Sequence, residues 1–277
     1  MEQMKIGLQL YGIRDELARD YEGSLKAVKE MGYDYVEFAG STGNHSYEEI
    51  RAMLDKYELK CISVHQTLDS WLEAPEEAIR QVRVLGSDHN TICMYPYVRY
   101  MEEGVDGPVA KFARWAQAMK DAGLQGMYHN HAFEFDITAN GGYLLDHIFA
   151  TVPQLQPELD LGWVHYGGED PVTYLDKYAG KLDIVHLKDF SCANLPQKPI
   201  FELVAEQGRS VIPPTRKEAG FRYLPIGSGI QNWPAIIDAC RRAGAQYLVV
   251  EQDESLDCSQ LQAARISREY LKKNFGL

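Results

Sequence analysis

The residues best equipped for chemistry fall at the ends of short apolar runs. His186 interrupts the run Asp183-Ile184-Val185-His186-Leu187-Lys188-Asp189-Phe190, in which Ile184, Val185 and Leu187 are apolar and Lys188 and Asp189 close the segment. An unpaired polar group in such a setting costs about 1–3 kcal/mol, so His186 needs a partner. On this stretch alone it reads equally as a satisfied core histidine and as a metal ligand or base. Comparable run ends carry Glu37, His65, His129, His131, Glu134, Asp160, Lys188 and Glu251. Each has a plainer reading when taken singly: a solvated carboxylate for Glu37, a loop cap for His65, backbone hydrogen bonding for His129 and His131. Their common placement at run ends is what argues for a site.

Three carboxylates converging without a cation repel one another and raise their pKa values. A divalent metal resolves that conflict, and Glu134, Asp160, His186 and Glu251 form the candidate ligand set. Oxygen-rich with one imidazole, the set suits Mn²⁺ first, and Mg²⁺, Co²⁺ or Zn²⁺ as well, rather than a thiolate-held structural zinc. Such a centre polarises a carbonyl and steadies an enediolate oxygen while a carboxylate moves a proton at the neighbouring carbon. Glu134 and Glu251 are the candidate bases. Lys188 is the candidate partner for developing negative charge, against a surface lysine paired with Asp189. Trp163 either packs on a sugar face or fills the barrel wall.

These residues share a face only if the elements beneath them are arranged alike. The chain reads as strand, loop and helix eight times over. The strands are expected at 5–11, 33–38, 60–65, 90–95, 124–135, 158–163, 183–190 and 246–251, each apolar in its body and polar toward its C-terminal end. Helices between them carry start and stop signals: capping-box spacing at Ser46 and Glu49, Pro75 in a first turn, and Gly32 and Gly123 as stops. Short apolar strands alternating with amphipathic helices predict parallel pairing, and eight such units predict a closed (β/α)8 TIM barrel with its strand C-termini on one face. An open doubly wound sheet is the rival, but the first strand runs into Tyr11-Gly12-Ile13-Arg14-Asp15 and lacks the glycine-rich phosphate loop. A single domain over 1–277 is expected. The segment from Ser191 to Tyr223 is too long for an ordinary connection, with a helical turn only around Ile200 to Glu206, and reads as a partial lid or a surface insertion.

A net charge of −12 disfavours nucleic acid, which needs clustered Lys and Arg. Five scattered cysteines without a CxxC read as reduced thiols, and no apolar run is long enough to span a bilayer, so a soluble cytoplasmic protein is expected.

The chain resembles the xylose isomerase-like sugar phosphate isomerase/epimerase superfamily, which takes in inosose dehydratases, hydroxypyruvate isomerases, ketose 3-epimerases and, more distantly, endonuclease IV. The resemblance rests on residues 128–135 (YHNHAFEF), 159–163 (LDLGW), 186–190 (HLKDF), 227–233 (GSGIQNW) and 250–253 (VEQD). It implies a TIM barrel with one divalent metal, and Asp160, His186 and Glu251 match the ligands after strands six, seven and eight. The fifth-strand ligand is Glu134, with His129 as the competing choice. The ketose epimerases carry a substrate-gripping Arg after the seventh-strand His; Asp189 to Cys192 lacks one, and Arg216 or Arg222 takes that place. Glu37, His65, His129, His131, Trp163 and Arg216 are the expected substrate contacts. The expected activity is isomerisation or epimerisation of a sugar, keto-sugar or polyol, unphosphorylated because no phosphate loop is visible. The alternative is a lyase or dehydratase acting on an inosose or 3-keto-glycoside; an endonuclease IV-like phosphodiesterase and a non-enzymatic sugar-binding protein rank below. A homo-oligomer is compatible with the sequence, which shows no interface.

Overall fold

The computed structural model describes residues 4–93, 95–139, 141–195 and 216–277. Eight parallel strands close into a barrel: β1 (Lys5–Gln9), β2 (Tyr35–Phe38), β3 (Lys60–Gln66), β4 (His89–Ile92), β5 (Gln125–His129), β6 (Gln156–Asp160), β7 (Ile184–Leu187) and β8 (Tyr247–Val250). Each pairs with its sequence neighbours, and β8 returns to β1 with Lys5 opposite Tyr247 and Leu8 opposite Val250. This is the (β/α)8 architecture that the strand count predicts. The start signals also act as expected. Ser46 Oγ accepts from Glu49 N at 3.2 Å while Glu49 Oε2 accepts from Ser46 N at 2.7 Å, and Pro75 opens the helix Pro75–Leu85.

Side-chain alternation sorts the strands into two cores. Outward residues such as Val185, Leu187, Leu248 and Val250 join the large apolar layer under the helices, whereas Ile62, Met127, Ile184 and Val249 form a small plug inside the barrel. Two residues beyond Met127, Ile184 and Val249 stand His129, His186 and Glu251. The same alternation that buries the plug therefore aims these three groups into the barrel mouth.

β3 reaches that mouth by a different route. Val36 pairs with Cys61 but Phe38 pairs with Val64, so β3 carries one extra residue at Ile62–Ser63. This bulge resets the alternation. Beyond it Ser63 turns inward, its Oγ 2.7 Å from Thr91 Oγ1, and His65 follows on the same side.

Several expected strands end early. β4 stops at Ile92 and β5 at His129, with a 3₁₀ turn at Phe133–Phe135. β6 ends at Asp160, and Leu161–Tyr166 is helical, with Asp160 Oδ1 accepting from Trp163 N at 2.9 Å as its cap. After β7, Asp189–Ser191 pairs antiparallel with Arg222–Leu224, which draws together the two ends of the long connection. The turn expected around Ile200–Glu206 lies outside the described residues. The helix that follows the connection is Trp233–Ala243.

Candidate functional site

The C-terminal mouth of the barrel opens into a cavity of about 930 Å³, whose lining includes Gln9, His65, His129, His131, Lys188, Glu251 and Asp253. At its base, His129, Asp160, His186 and Glu251 each offer a ligand atom, all within 4.8 Å of one another. His129 Nε2 is 3.8 Å from Asp160 Oδ2, and His186 Nδ1 is 2.9 Å from Glu251 Oε2. Lys188 reaches into the group: its Nζ lies 2.9 Å from Asp160 Oδ2, 3.1 Å from Glu251 Oε2 and 3.1 Å from Asp253 Oδ1, and 4.7 Å from the Trp163 ring centroid. Gly162 makes this approach possible, because a Cβ there would sit 2.7 Å from Lys188 Cβ.

A second polar layer lies beneath. Glu37 and Glu158 are fully buried. His65 Nε2 stands between them, 3.1 Å from Glu37 Oε2 and 2.7 Å from Glu158 Oε1. His186 Nε2 is 2.6 Å from Glu37 Oε2, and His129 Nδ1 is 3.2 Å from Glu158 Oε1. Gln9 donates to Glu37 at 2.7 Å and Thr91 to Glu158 at 2.8 Å.

Burial disfavours charge on every group here, and neighbours decide the outcome. Burial is outweighed at Glu37 by His65 and His186, which hold its carboxyl below the usual range. At Glu251 burial is outweighed by Lys188 and His186, and the carboxylate stays ionised. Burial dominates at Asp160 and raises it to about 6 even beside Lys188. His129 and His131 are both pushed down to about 3, chiefly by burial, and are neutral. Lys188 is raised despite burial by Asp160, Asp253 and Glu251. Glu37 and Glu158 hold His65 and His186 well above the ordinary imidazole range despite burial. Five carboxylates (Glu37, Glu158, Asp160, Glu251 and Asp253) thus face Lys188 and these two imidazoles. That excess of carboxylates, with imidazole and carboxylate donors converging at one point, fits a divalent cation.

Most of the expected site residues come together, and two lie elsewhere. Asp160, His186 and Glu251 meet as expected, and His65, His129, His131, Trp163, Lys188 and Arg216 line or adjoin the cavity. Arg216 hydrogen-bonds the Tyr223 hydroxyl and lies 5.7 Å from the Trp163 ring centroid. Glu134 does not join them. Its Oε1 accepts from Tyr128 Oη at 2.8 Å and its Oε2 from His131 N at 2.9 Å. Tyr128 points outward, against Phe112 and Phe149, because it alternates with inward His129. Glu134 is therefore held behind the barrel wall, and His129 takes the fifth-strand position in the donor group. Glu37 belongs to the lower layer and is absent from the cavity lining.

Glu158, Asp253 and Gln9 join the site without having been expected there. Glu158 lies two residues before Asp160 on the same strand, so alternation from the assigned residue could have found it, whereas Asp253 lies beyond the end of β8 and no periodicity marks it. Gln9 faces Glu37 across the β1–β2 pair, and nothing in its local sequence marks it.

Residues 25–274 match the family model described as xylose isomerase-like TIM barrel. The chain is 27% identical over 203 residues to an inosose dehydratase of Clostridium beijerinckii, covering 70% of this chain and 62% of that protein, so it spans about three fifths of the relative's length. Its fold superposes on a sugar phosphate isomerase/epimerase of Parabacteroides distasonis with TM-score 0.77 at 21% identity, covering 99% and 96% of the two chains. A xylose isomerase-like TIM barrel protein of Mycobacterium smegmatis, solved in complex with magnesium, gives TM-score 0.66 at 16% identity, covering 98% and 96%.

Proposed function

The chain belongs to the xylose isomerase-like TIM barrel family, and from that premise we propose that it is a divalent-metal-dependent isomerase of a sugar, keto-sugar or polyol, working by proton transfer next to a carbonyl. The observation that carries the reading is the convergence of His129, Asp160, His186 and Glu251 beside Lys188 at the barrel mouth. These four residues would hold the ion, which when bound polarises the substrate carbonyl. The magnesium in the Mycobacterium smegmatis relative supports a hard divalent ion.

Glu251 is the base in this reading: it is held ionised and lines the cavity. Lys188 faces the same oxygens and offers a cation to charge developing on the substrate. Trp163 and Arg216 bound the cavity above them. Glu134 lies behind the wall, so the expected pair of bases reduces to Glu251. One base that takes a proton and returns it on the same face performs isomerisation, whereas epimerisation needs a second group opposite.

A second reading is a lyase, in which the same abstraction expels a β-substituent. It is favoured by the size of the cavity, toward the upper end of the roughly 300–1,000 Å³ typical of small-molecule sites, and by its apolar upper wall of Tyr11, Tyr47, Phe133, Tyr166 and Tyr223. That wall suits a sugar carrying an apolar substituent.

Solvent-deuterium exchange tests both. The protein is incubated in D₂O with Mn²⁺ or Mg²⁺ and a panel of ketoses, inososes and 3-keto-glycosides. The expected result is label at the carbon next to the carbonyl of at least one substrate, lost in Glu251→Gln and on chelation. No exchange into any member overturns the proton-transfer reading.

A further inference from the structure

Lys188 and Glu251 stand at one end of the cavity, and Asp136 lines it elsewhere. Asp136 closes the 3₁₀ turn Phe133–Phe135, its N–H bonded to Phe133 O at 3.0 Å. The charges of Lys188 and Arg216 reach His131, yet neither moves Asp136. Asp136 therefore lies apart from the Lys188 end. Among the described residues its carboxyl has neither a side-chain hydrogen-bond donor nor a cation beside it. A carboxylate open to water keeps its ordinary value, whereas burial raises this one to about 6 and nothing else acts on it. It is a desolvated acceptor that faces a cavity and has no donor.

Aromatic rings bound the same part of the cavity. Phe133 stacks on His131, with centroids 6.0 Å and planes 15° apart, and Tyr166 meets Trp163 edge-on at 6.0 Å. Phe133 and Tyr166 are only partly buried, and both belong to the lining. Arg216 stands near Tyr166 as well: its charge and that of Asp136 bear on the Tyr166 hydroxyl with opposite signs. The Arg216 guanidinium donates to the neutral Tyr223 hydroxyl.

We propose that this part of the cavity is a second ring subsite, in which Asp136 accepts hydrogen bonds from the hydroxyls of a sugar or cyclic polyol seated against Phe133 and Tyr166, so that the substrate carries two sugar-like rings rather than one. The inference rests on the sugar reading given under Proposed function and extends it from the reacting ring to the group attached to that ring. A sugar ring shows apolar C–H faces to aromatic side chains and hydroxyls at its edge. Each hydroxyl donates one hydrogen bond and accepts others, which a carboxylate and a guanidinium satisfy together. An alkyl or aryl substituent would cover Phe133 and Tyr166 but leave Asp136 desolvated without a donor, the unfavourable case. A single ring held beside Lys188 and Glu251 would leave it unmet in the same way. The cavity, about 930 Å³, has room for both rings.

The test titrates the full chain by calorimetry, with Mn²⁺ present, against glucosides that lack a ketone and so do not react. Methyl glucoside supplies one sugar ring, phenyl glucoside adds an apolar substituent, and maltose, cellobiose, trehalose and sucrose add a second sugar ring. At least one disaccharide should bind about 10-fold or more tightly than both other glucosides, the worth of a hydrogen bond to a charged group. Asp136→Leu should bring that disaccharide to parity with methyl glucoside. Asp136→Asn, which keeps one acceptor oxygen without the charge, should retain part of the advantage. Thermal unfolding confirms that the variants fold; should Asp136→Leu not fold, the reduced advantage in Asp136→Asn decides. Three results overturn the proposal: no disaccharide preference in the wild type, phenyl glucoside binding as tightly as the best disaccharide, or a preference that survives undiminished in the folded Asp136 variants. The proton-transfer reading fails separately. Absence of deuterium exchange into any keto-sugar, with the Asp136-dependent preference intact, overturns that reading and supports the subsite.

Discussion

Lys188 Nζ lies 2.9 Å from Asp160 Oδ2, so the ammonium rests on one of the oxygens assigned to the metal. It also contacts Glu251 and Asp253. Lysine and metal therefore compete for the same charge. Replacing Lys188 by Met leaves three carboxylates without their cation, and breaking a buried pair in this way costs about 3–5 kcal/mol. The metal-free Lys188→Met variant should unfold at markedly lower temperature than wild type. Added Mn²⁺ should raise its midpoint more than it raises that of wild type, because the ion meets no ammonium at Asp160 and Glu251. Scanning calorimetry with and without Mn²⁺ measures both shifts; equal shifts in the two proteins would count against a shared site.

Asp189 faces the opposite way from Lys188 and fixes the segment that follows the long connection. Its carboxylate accepts from Phe190 N at 2.9 Å, Gly227 N at 2.9 Å, Gly229 N at 3.0 Å, Gln231 N at 3.3 Å and Trp233 Nε1 at 2.8 Å. An unsatisfied buried donor costs about 1–3 kcal/mol, and Asp189→Ala leaves several at once. Urea unfolding should show a loss of at least about 3 kcal/mol, the lower end of what that many orphaned donors imply. A loss under about 1 kcal/mol would mean that water replaces the carboxylate and that Asp189 is not the clamp.

The alternation that follows the bulge at Ile62–Ser63 can be tested by shifting it. Ser63→Ala keeps the extra residue and loses one hydroxyl contact, a change of about 1 kcal/mol. Inserting one alanine between Ser63 and Val64 moves His65 on by one position, which swings it into the apolar layer under the helices and away from Glu158 and Glu37. The insertion should cost several times as much as the substitution in urea unfolding. If the two cost the same, strand alternation is not what places His65.

How much is legible in the sequence follows from these cases. Asp160, His186 and Glu251 can be read because each stands a whole strand period above an inward residue, Ile184 and Val249 of the barrel floor for the last two and Glu158 for Asp160, and period-two patterning survives in a single sequence. His65 falls on the expected face for a reason the sequence hides, since a bulge leaves no mark in residue types. Glu134 departs from its expected place because the fifth strand ends at His129 and a 3₁₀ turn follows. Beyond a strand end, counting residues no longer tells inside from outside. Leu161–Trp163 reads as strand because its apolar residues fit a buried strand and a buried helix equally; the capping bond from Trp163 N to Asp160 decides for helix.

Glu134 offers the sharpest pH test, because its two possible placements give opposite signs. Behind the wall, burial raises its carboxyl from the ordinary 4.5 to about 8. Below pH 4.5 the folded and unfolded chains both carry the proton and nothing is lost. Between about 4.5 and 8 the unfolded chain gives up its proton while the folded chain keeps it, so stability falls as pH rises, and above 8 the loss is complete. Each pH unit across that window costs about 1.36 kcal/mol, so the full loss is on the order of a few kcal/mol. Glu134→Gln mimics the neutral acid and escapes it. The stability of the variant relative to wild type should therefore rise by that amount between about pH 5 and pH 8.5 in urea unfolding. A Glu134 that held a metal would instead have a lowered pKa. Its contribution to stability would be gained as pH rises, and the Gln variant would fall behind wild type over the same range.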